Sequence, residues 1–215
     1  AKLLASGLSS VSADDLATVA TEYGVDKKQF QAQLRELYGV FLSACLTSSQ
    51  VAPSELGELK KLGDVLCLSR AEVGTAVHNA GRQLYSRHRA YLEEDEPNDS
   101  KLLLDKFVFL AERVLAQDES EEGYKYETKR NQKLFALSAQ EWATKAEEAA
   151  VPFYDKVLQK VVAGQAVTDA QLEQIRNNFG VTAARAEAMH AASFTALAST
   201  SLSAAAGAAA KFDAA

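Results

Sequence analysis

Few residues in this chain have the types and spacing that chemistry needs. Asp118-Glu-Ser-Glu-Glu-Gly123 sets oxygen-bearing side chains at alternate positions ahead of a glycine in sixth place, the pattern that opens a calcium loop. Such a loop closes on a bidentate carboxylate at its twelfth position. Lys129 stands there instead, so the stretch reads as a solvated acidic turn. His78, His88 and His190 match no metal-ligand spacing, and His88 falls on the apolar face of a helix pattern. A hydrogen-bonded, partly buried imidazole is the expectation there. No nucleophile elbow, phosphate-binding glycine loop or dinucleotide fingerprint occurs. The chain therefore reads as a non-enzyme, with no catalytic, cofactor-binding or metal-binding residues expected.

Two cysteines remain. Cys45 lies near the end of one long helix pattern and Cys67 just beyond the next short one. A helix over 54–62 between them, rising 1.5 Å per residue, separates them by roughly 12–15 Å, beyond the ~7 Å Cα limit for a disulfide. Two buried thiols are expected rather than a redox pair. So low a cysteine count also suits a reducing compartment.

These residues sit on a repeated element. Val167-Thr-Asp-Ala-Gln-Leu-Glu-Gln-Ile-Arg-Asn-Asn-Phe-Gly-Val181 matches Val11-Ser-Ala-Asp-Asp-Leu-Ala-Thr-Val-Ala-Thr-Glu-Tyr-Gly-Val25 in register: Leu172 with Leu16, Ile175 with Val19, Gly180 with Gly24. A looser copy begins at Val51, with Leu56, Leu59 and Val65 at matching offsets and Gly63 displaced by one. Self-similarity over a unit of roughly 40 residues is the signature of stacked helical pairs. Ser12 and Thr168 stand as N-caps, and Gln171 completes a capping box with Thr168. A helix of about two turns follows and ends at the glycine, the residue that enters the left-handed conformation without steric cost. Asp26 or Thr182 then caps a longer helix.

Between and beyond the copies the pattern stays helical. A long helix near 26–46 carries Phe30, Leu34, Leu37, Tyr38, Phe41 and Leu42 on one face. Ser69-Arg-Ala-Glu72 opens another, with Val73, Val77, Ala80, Leu84, His88, Tyr91 and Leu92, which stops in the acidic loop Glu93–Asp99. Lys101 to Ala116 is apolar enough to be central, through Leu103, Leu104, Phe107, Val108, Ala111, Val114 and Leu115. A polar helix from Tyr124 to Phe135 follows, and then a helix start at Ser138-Ala-Gln-Glu141 that Pro152 is expected to bend or restart. The closing helix carries Ala184, Met189, Phe194 and Leu197.

Composition sets the class. Hydrophobic residues make up 47% and charged residues 24% of the 215, which is ordinary for a folded domain. The net charge of −6, without a basic stripe, argues against nucleic acid as a partner. No run of 18 apolar residues is present, so no membrane-spanning helix is expected. The expected fold is all-α, an elongated HEAT-like solenoid of short-helix/long-helix pairs. Residues 1–10 read as the end of a truncated helix, so the chain is expected to be a fragment of a longer protein. Residues 11–203 form the repeat domain, with repeats near 11–48, 51–93 and 167–203 around intervening helices over 101–164. Residues 204–215 form an alanine-rich tail expected to fray.

Leu59-Lys-Lys-Leu-Gly-Asp-Val-Leu-Cys-Leu-Ser-Arg-Ala-Glu-Val73 with its following helix, and Val167 to Val181 with its own, resemble the helical repeats in the carboxy-terminal stromal region of the large subunit of the chloroplast inner-envelope translocon. Ala44-Cys45-Leu46-Thr47 is similar to a cysteine-containing segment that precedes the same repeat in plant members. The resemblance covers residues 11–92 and 166–200. It implies a stromal scaffold that docks incoming preproteins with transit peptides and gathers stromal chaperones, anchored by transmembrane segments elsewhere in the protein. The alternative it carries is a pore-forming or membrane-inserting component of the import channel. It also implies redox regulation through cysteines, Cys45 among them.

Overall fold

The computed structural model describes residues 12–22, 24, 27–52, 54–94, 96–116 and 121–212, and every regular element among them is a helix. In chain order these are α1 (Ala13–Glu22), α2 (Lys27–Cys45), α3 (Glu55–Val65), α4 (Arg70–Leu92), α5 (Asp99–Leu115), α6 (Glu121–Leu134), α7 (Ala139–Val162), α8 (Asp169–Phe179) and α9 (Ala183–Phe212). They fall into two compact units, Ala1–Ala149 and Ala150–Ala215.

One stop signal ends helix after helix. At the end of α8, Gly180 takes φ 67°. Its N–H donates to the Asn177 carbonyl at 3.1 Å while that of Val181 donates to Arg176 at 3.1 Å, the paired bonds of a Schellman turn. After α7, Gly164 and Gln165 repeat the pair onto Val161 and Lys160. Gly24, past α1, is left-handed too, with φ 62°. The same turn closes α3 and α6 without glycine, through Cys67 at φ 48° and Ala136 at φ 53°. An apolar residue and a hydroxyl cap then open the next helix: Leu68-Ser69 before α4, Leu137-Ser138 before α7, Val181-Thr182 before α9.

This corrects the sequence reading at Gly63. The helix runs past it to Val65, and Gly63 is buried within α3, where an added Cβ would stand 3.6 Å from Tyr38 and 3.8 Å from Val73. The caps are formed as expected where the structure describes them. Ser12 and Asp15 bond reciprocally at 2.8 and 3.1 Å, and Thr168 and Gln171 at 2.9 and 3.2 Å. The Ser69 N–H and hydroxyl both donate to Glu72.

In the first unit, α3 packs on α1 and on α5, while α4 packs on α2 and on α6. Odd and even helices thus form two layers, tied diagonally by α2 against α3 and α4 against α5. At the centre lies α5, whose residues Lys106 to Ala111 are buried one after another, so it is covered on all sides. Glycine permits its closest neighbour: a Cβ at Gly81 of α4 would fall 2.7 Å from the Phe107 ring. Phe107 in turn meets Phe135 at 5.4 Å and Trp142, edge-on, at 6.4 Å between centroids.

The second unit is smaller. Phe153 of α7 stacks on Phe179 of α8 at 4.2 Å, and Tyr154, Leu158, Val181 and Ala186 are buried. Pro152 neither breaks nor restarts α7, which is assigned as one helix. The carbonyl that Pro152 leaves without an amide belongs to Glu148, an exposed residue that water can reach. The alanine-rich tail also departs from expectation: α9 continues as helix through Phe212, consistent with alanine's leading helix propensity.

Candidate functional site

Buried polar groups mark where the first unit is pinned. Lys106 of α5 is 0% exposed, and its ammonium donates to the carbonyls of Ser48 at 3.0 Å and Gln50 at 2.6 Å and to Glu55 Oε1 at 2.8 Å. Glu55 also accepts from the Ala52 N–H at 2.9 Å, so this one lysine organises the connection between α2 and α3. The Glu112 carboxylate accepts from the Tyr124 hydroxyl and from Trp142 Nε1 at 2.8 Å, joining α5, α6 and α7. Burial, with Glu112 adding to it, pushes the Tyr124 hydroxyl up to about 12. Lys145 reaches Asp105 at 2.8 Å. Sequence periodicity missed Lys106; the available signal was a lysine with leucines three and four positions before it and Phe107 to Leu110 directly after it.

The histidines are bonded, as the sequence suggested for His88. His88 Nδ1 lies 2.9 Å from Ser100 Oγ, and His78 Nδ1 lies 3.2 Å from Oδ1 of the fully buried Asn131. Burial holds His78 below the ordinary imidazole range. His190 Nε2 lies 2.9 Å from the Tyr154 hydroxyl, with the two rings stacked. That pair floors a cleft of about 390 Å³ lined also by Asp169, Glu173, Arg176 and Glu187. Burial raises Tyr154, and Arg176, which pairs with Glu173 at 3.5 Å, opposes that rise.

Neither cysteine is in a disulfide. Cys45 is buried, and burial chiefly, with the Glu55 carboxylate adding to it, pushes its thiol up to about 11. Cys67 is exposed at the left-handed stop of α3, which corrects the expectation that both thiols are buried. Of the calcium-like run, residues 117–120 lie outside the described residues. From Glu121 through Lys129 the chain is α-helix, and that backbone cannot curl around a cation.

The repeat positions divide. Leu56, Leu59, Val65 and Val181 are buried, while Val51, Val167, Leu172 and Ile175 are half-buried. Val11 and Val25, and the side chains of Leu16 and Val19, lie outside the described residues.

A second open surface lies between α2 and α4. There the structure has a groove of about 520 Å³ lined by the small residues Gly39, Ala76 and Ala80, by Val40, and by Arg35, Glu36, Gln83 and Arg87, so that both signs of charge are present. A side chain added at Gly39 would meet nothing within 4 Å, so glycine there leaves space instead of easing a contact. Beside it α2 exposes apolar surface. Of the face read from sequence, Tyr38 and Leu42 are buried and Leu34 and Phe41 half-buried, but Phe30 and Leu37 are exposed, as is Val40. At about 100° per residue these apolar positions span an arc of about 200°, wider than its neighbours in the unit cover. Tyr91 of α4, read on the same helix face as Val73 and Leu84, is likewise exposed. Compared with protein-family models, curated proteins and solved structures, the chain matches none.

Proposed function

We propose that this chain is a non-enzymatic scaffold of chloroplast protein import, in the stroma at the inner envelope membrane, docking incoming preproteins and stromal chaperones. Its helical pairs are read as a HEAT-like repeat solenoid. The observation that carries this reading is the repeated module of helix, left-handed stop, apolar residue, cap and longer helix, in the two stretches whose sequences resemble translocon repeats. Arrays of such modules bind through extended surfaces and many weak contacts. The groove between α2 and α4, with its small-residue floor, arginines and adjoining exposed Leu37 and Val40, is the surface we assign to docking. No described helix is long and apolar enough to cross a membrane.

Crosslinking in intact plastids with a preprotein bearing a transit peptide tests the role. Capture of the preprotein by the wild-type chain, lost on Gly39→Leu with the helical circular dichroism unchanged, is the expected result. Capture of neither preprotein nor chaperone sinks the proposal, and recovery of the chain with liposomes in a flotation gradient favours the membrane-inserting alternative.

A further inference from the structure

We infer that the groove between α2 and α4 takes an amphipathic helix of a protein partner whose flank toward α4 carries paired carboxylates; this rests on the assignment of that groove to docking. Beside the groove, on the solvent side of α4, lies an open cleft of about 400 Å³ lined by Asn79, Arg82, Gln83, Ser86 and Arg87. Each of the five can donate a hydrogen bond, and none is a carboxylate. At about 100° per residue, Arg82 and Arg87 stand on either side of a strip formed by Asn79, Gln83 and Ser86. Both arginines are exposed, and neither has an ion pair among the described residues. A chain of net charge −6 thus keeps a local cationic surface on this helix, which draws and orients an anionic partner.

The charge is one-sided. On the α2 wall of the groove Arg35 is next to Glu36, and the two offset each other. The α4 wall has Arg87, with Arg82 further round the helix, and no carboxylate among the lining residues to offset them. Between the walls the lining is small. Ala32, Gly39 and Ser43 of α2 are spaced along one helix face, as are Ala76 and Ala80 of α4, and Val40, 60% exposed, lies among them. From Ala32 to Ser43 such a row is roughly 16 Å long, about three turns, so a third helix can seat its side chains along it. The cationic cleft and the small-residue row share Asn79, Gln83 and Arg87, so the occupant presents its acidic and apolar parts side by side along one line. An amphipathic helix does that. Glu residues four apart on it are about 6 Å apart along its axis, close to the roughly 7.5 Å between Arg82 and Arg87 along α4, and each guanidinium can hold a carboxylate through two parallel N–H donors. Nucleic acid fits less well, because its phosphates call for a longer run of cations than this surface has.

The probe is a fluorescein-labelled helical peptide of about 15 residues with Leu and Ala along one stripe and two Glu at i, i+4 on one flank, set against the same peptide with Lys at those two positions. Fluorescence anisotropy with the full chain should show the Glu peptide bound about tenfold more tightly than the Lys peptide, with that preference shrinking as salt is raised. Arg82→Glu combined with Arg87→Glu should reverse the order with unchanged circular dichroism, since both side chains are exposed, and Gly39→Leu should weaken both peptides. Equal affinity for the two peptides overturns the inference, as does an order unchanged in the double arginine variant. So does occupation of the surface by phosphatidylglycerol vesicles, by a single-stranded oligonucleotide or by a second copy of this chain in place of the Glu peptide. Preprotein capture in plastids is a separate readout. A chain that captures preprotein without preferring the Glu peptide loses this inference and keeps its import role, and the reverse result removes the import role and keeps the preference.

Discussion

Replacing Lys106 by Met keeps most of the aliphatic stem inside α5 and deletes only the ammonium. Three charge-assisted hydrogen bonds that it donates go with it, two to loop carbonyls and one to Glu55, whose side chain retains 16% exposure. Removing one partner of a buried ion pair costs about 3–5 kcal/mol, most of it from the charge left behind. Glu55's residual contact with water places this case at the lower end, about 3 kcal/mol, which for a chain of this size lowers the melting temperature by roughly 6–12 °C. Urea denaturation followed by circular dichroism measures it. Glu55→Gln should cost at least as much, because the stranded group is then a lysine with 0% exposure. The double variant should cost less than the sum by about 1–3 kcal/mol. Amides over residues 46–52 should exchange faster in Lys106→Met while those of α9, in the other unit, are unchanged. A Lys106→Met variant within 1 kcal/mol of wild type, or costs that simply add, would refute the idea that this lysine holds the α2–α3 connection.

Left-handed stops give the second test: Ala136→Gly and Cys67→Gly should each stabilise by about 0.5–1 kcal/mol, and Gly180→Ala should destabilise by about 1 kcal/mol, in the same urea titration. Gly81→Ala should cost about 1–3 kcal/mol, because the new methyl falls 2.7 Å from the fully buried Phe107 ring and 3.3 Å from Leu134. An aromatic thiol reagent at neutral pH should label Cys67 in the folded chain and reach Cys45 only on unfolding. The alkaline limb of stability follows from the same burial. Tyr124 and Cys45 both carry raised values, so their contribution is complete below the ordinary values of 10 and 9 and is lost as pH climbs to about 12 and about 11. Stability should therefore begin to fall near pH 9, and Cys45→Ala should delay that onset.

What sequence made legible was local. Spacing of apolar residues located the helices, and Ser12, Ser69, Ser138 and Thr168 with the acidic or amide residue three positions on marked where four of them begin, because a cap is settled by neighbours in the chain. Stops were legible only where glycine makes them. Cys67 and Ala136 hold the same left-handed turn at a steric cost that tertiary packing offsets, and no local pattern announces that. Faces were overestimated for a related reason. Periodicity reports that Phe30, Leu37, Phe194 and Leu197 are apolar and aligned, whereas whether anything covers them depends on elements far away in sequence. Lys106 escaped because a lysine in a helical pattern reads as solvated until three acceptors from another segment are found around it.

The stops also show what the repeating thing is. Among the described residues they follow α1, α3, α6, α7 and α8. What recurs is the connector with the helix on either side of it. Residues Lys106 to Ala111 of α5 are buried in succession, and α3, α4 and α6 pack against this helix. The Lys106 ammonium reaches back from α5 to the connection between α2 and α3. Substitutions in α5 should consequently destabilise the modules on both sides together, while those in α1 are felt only locally.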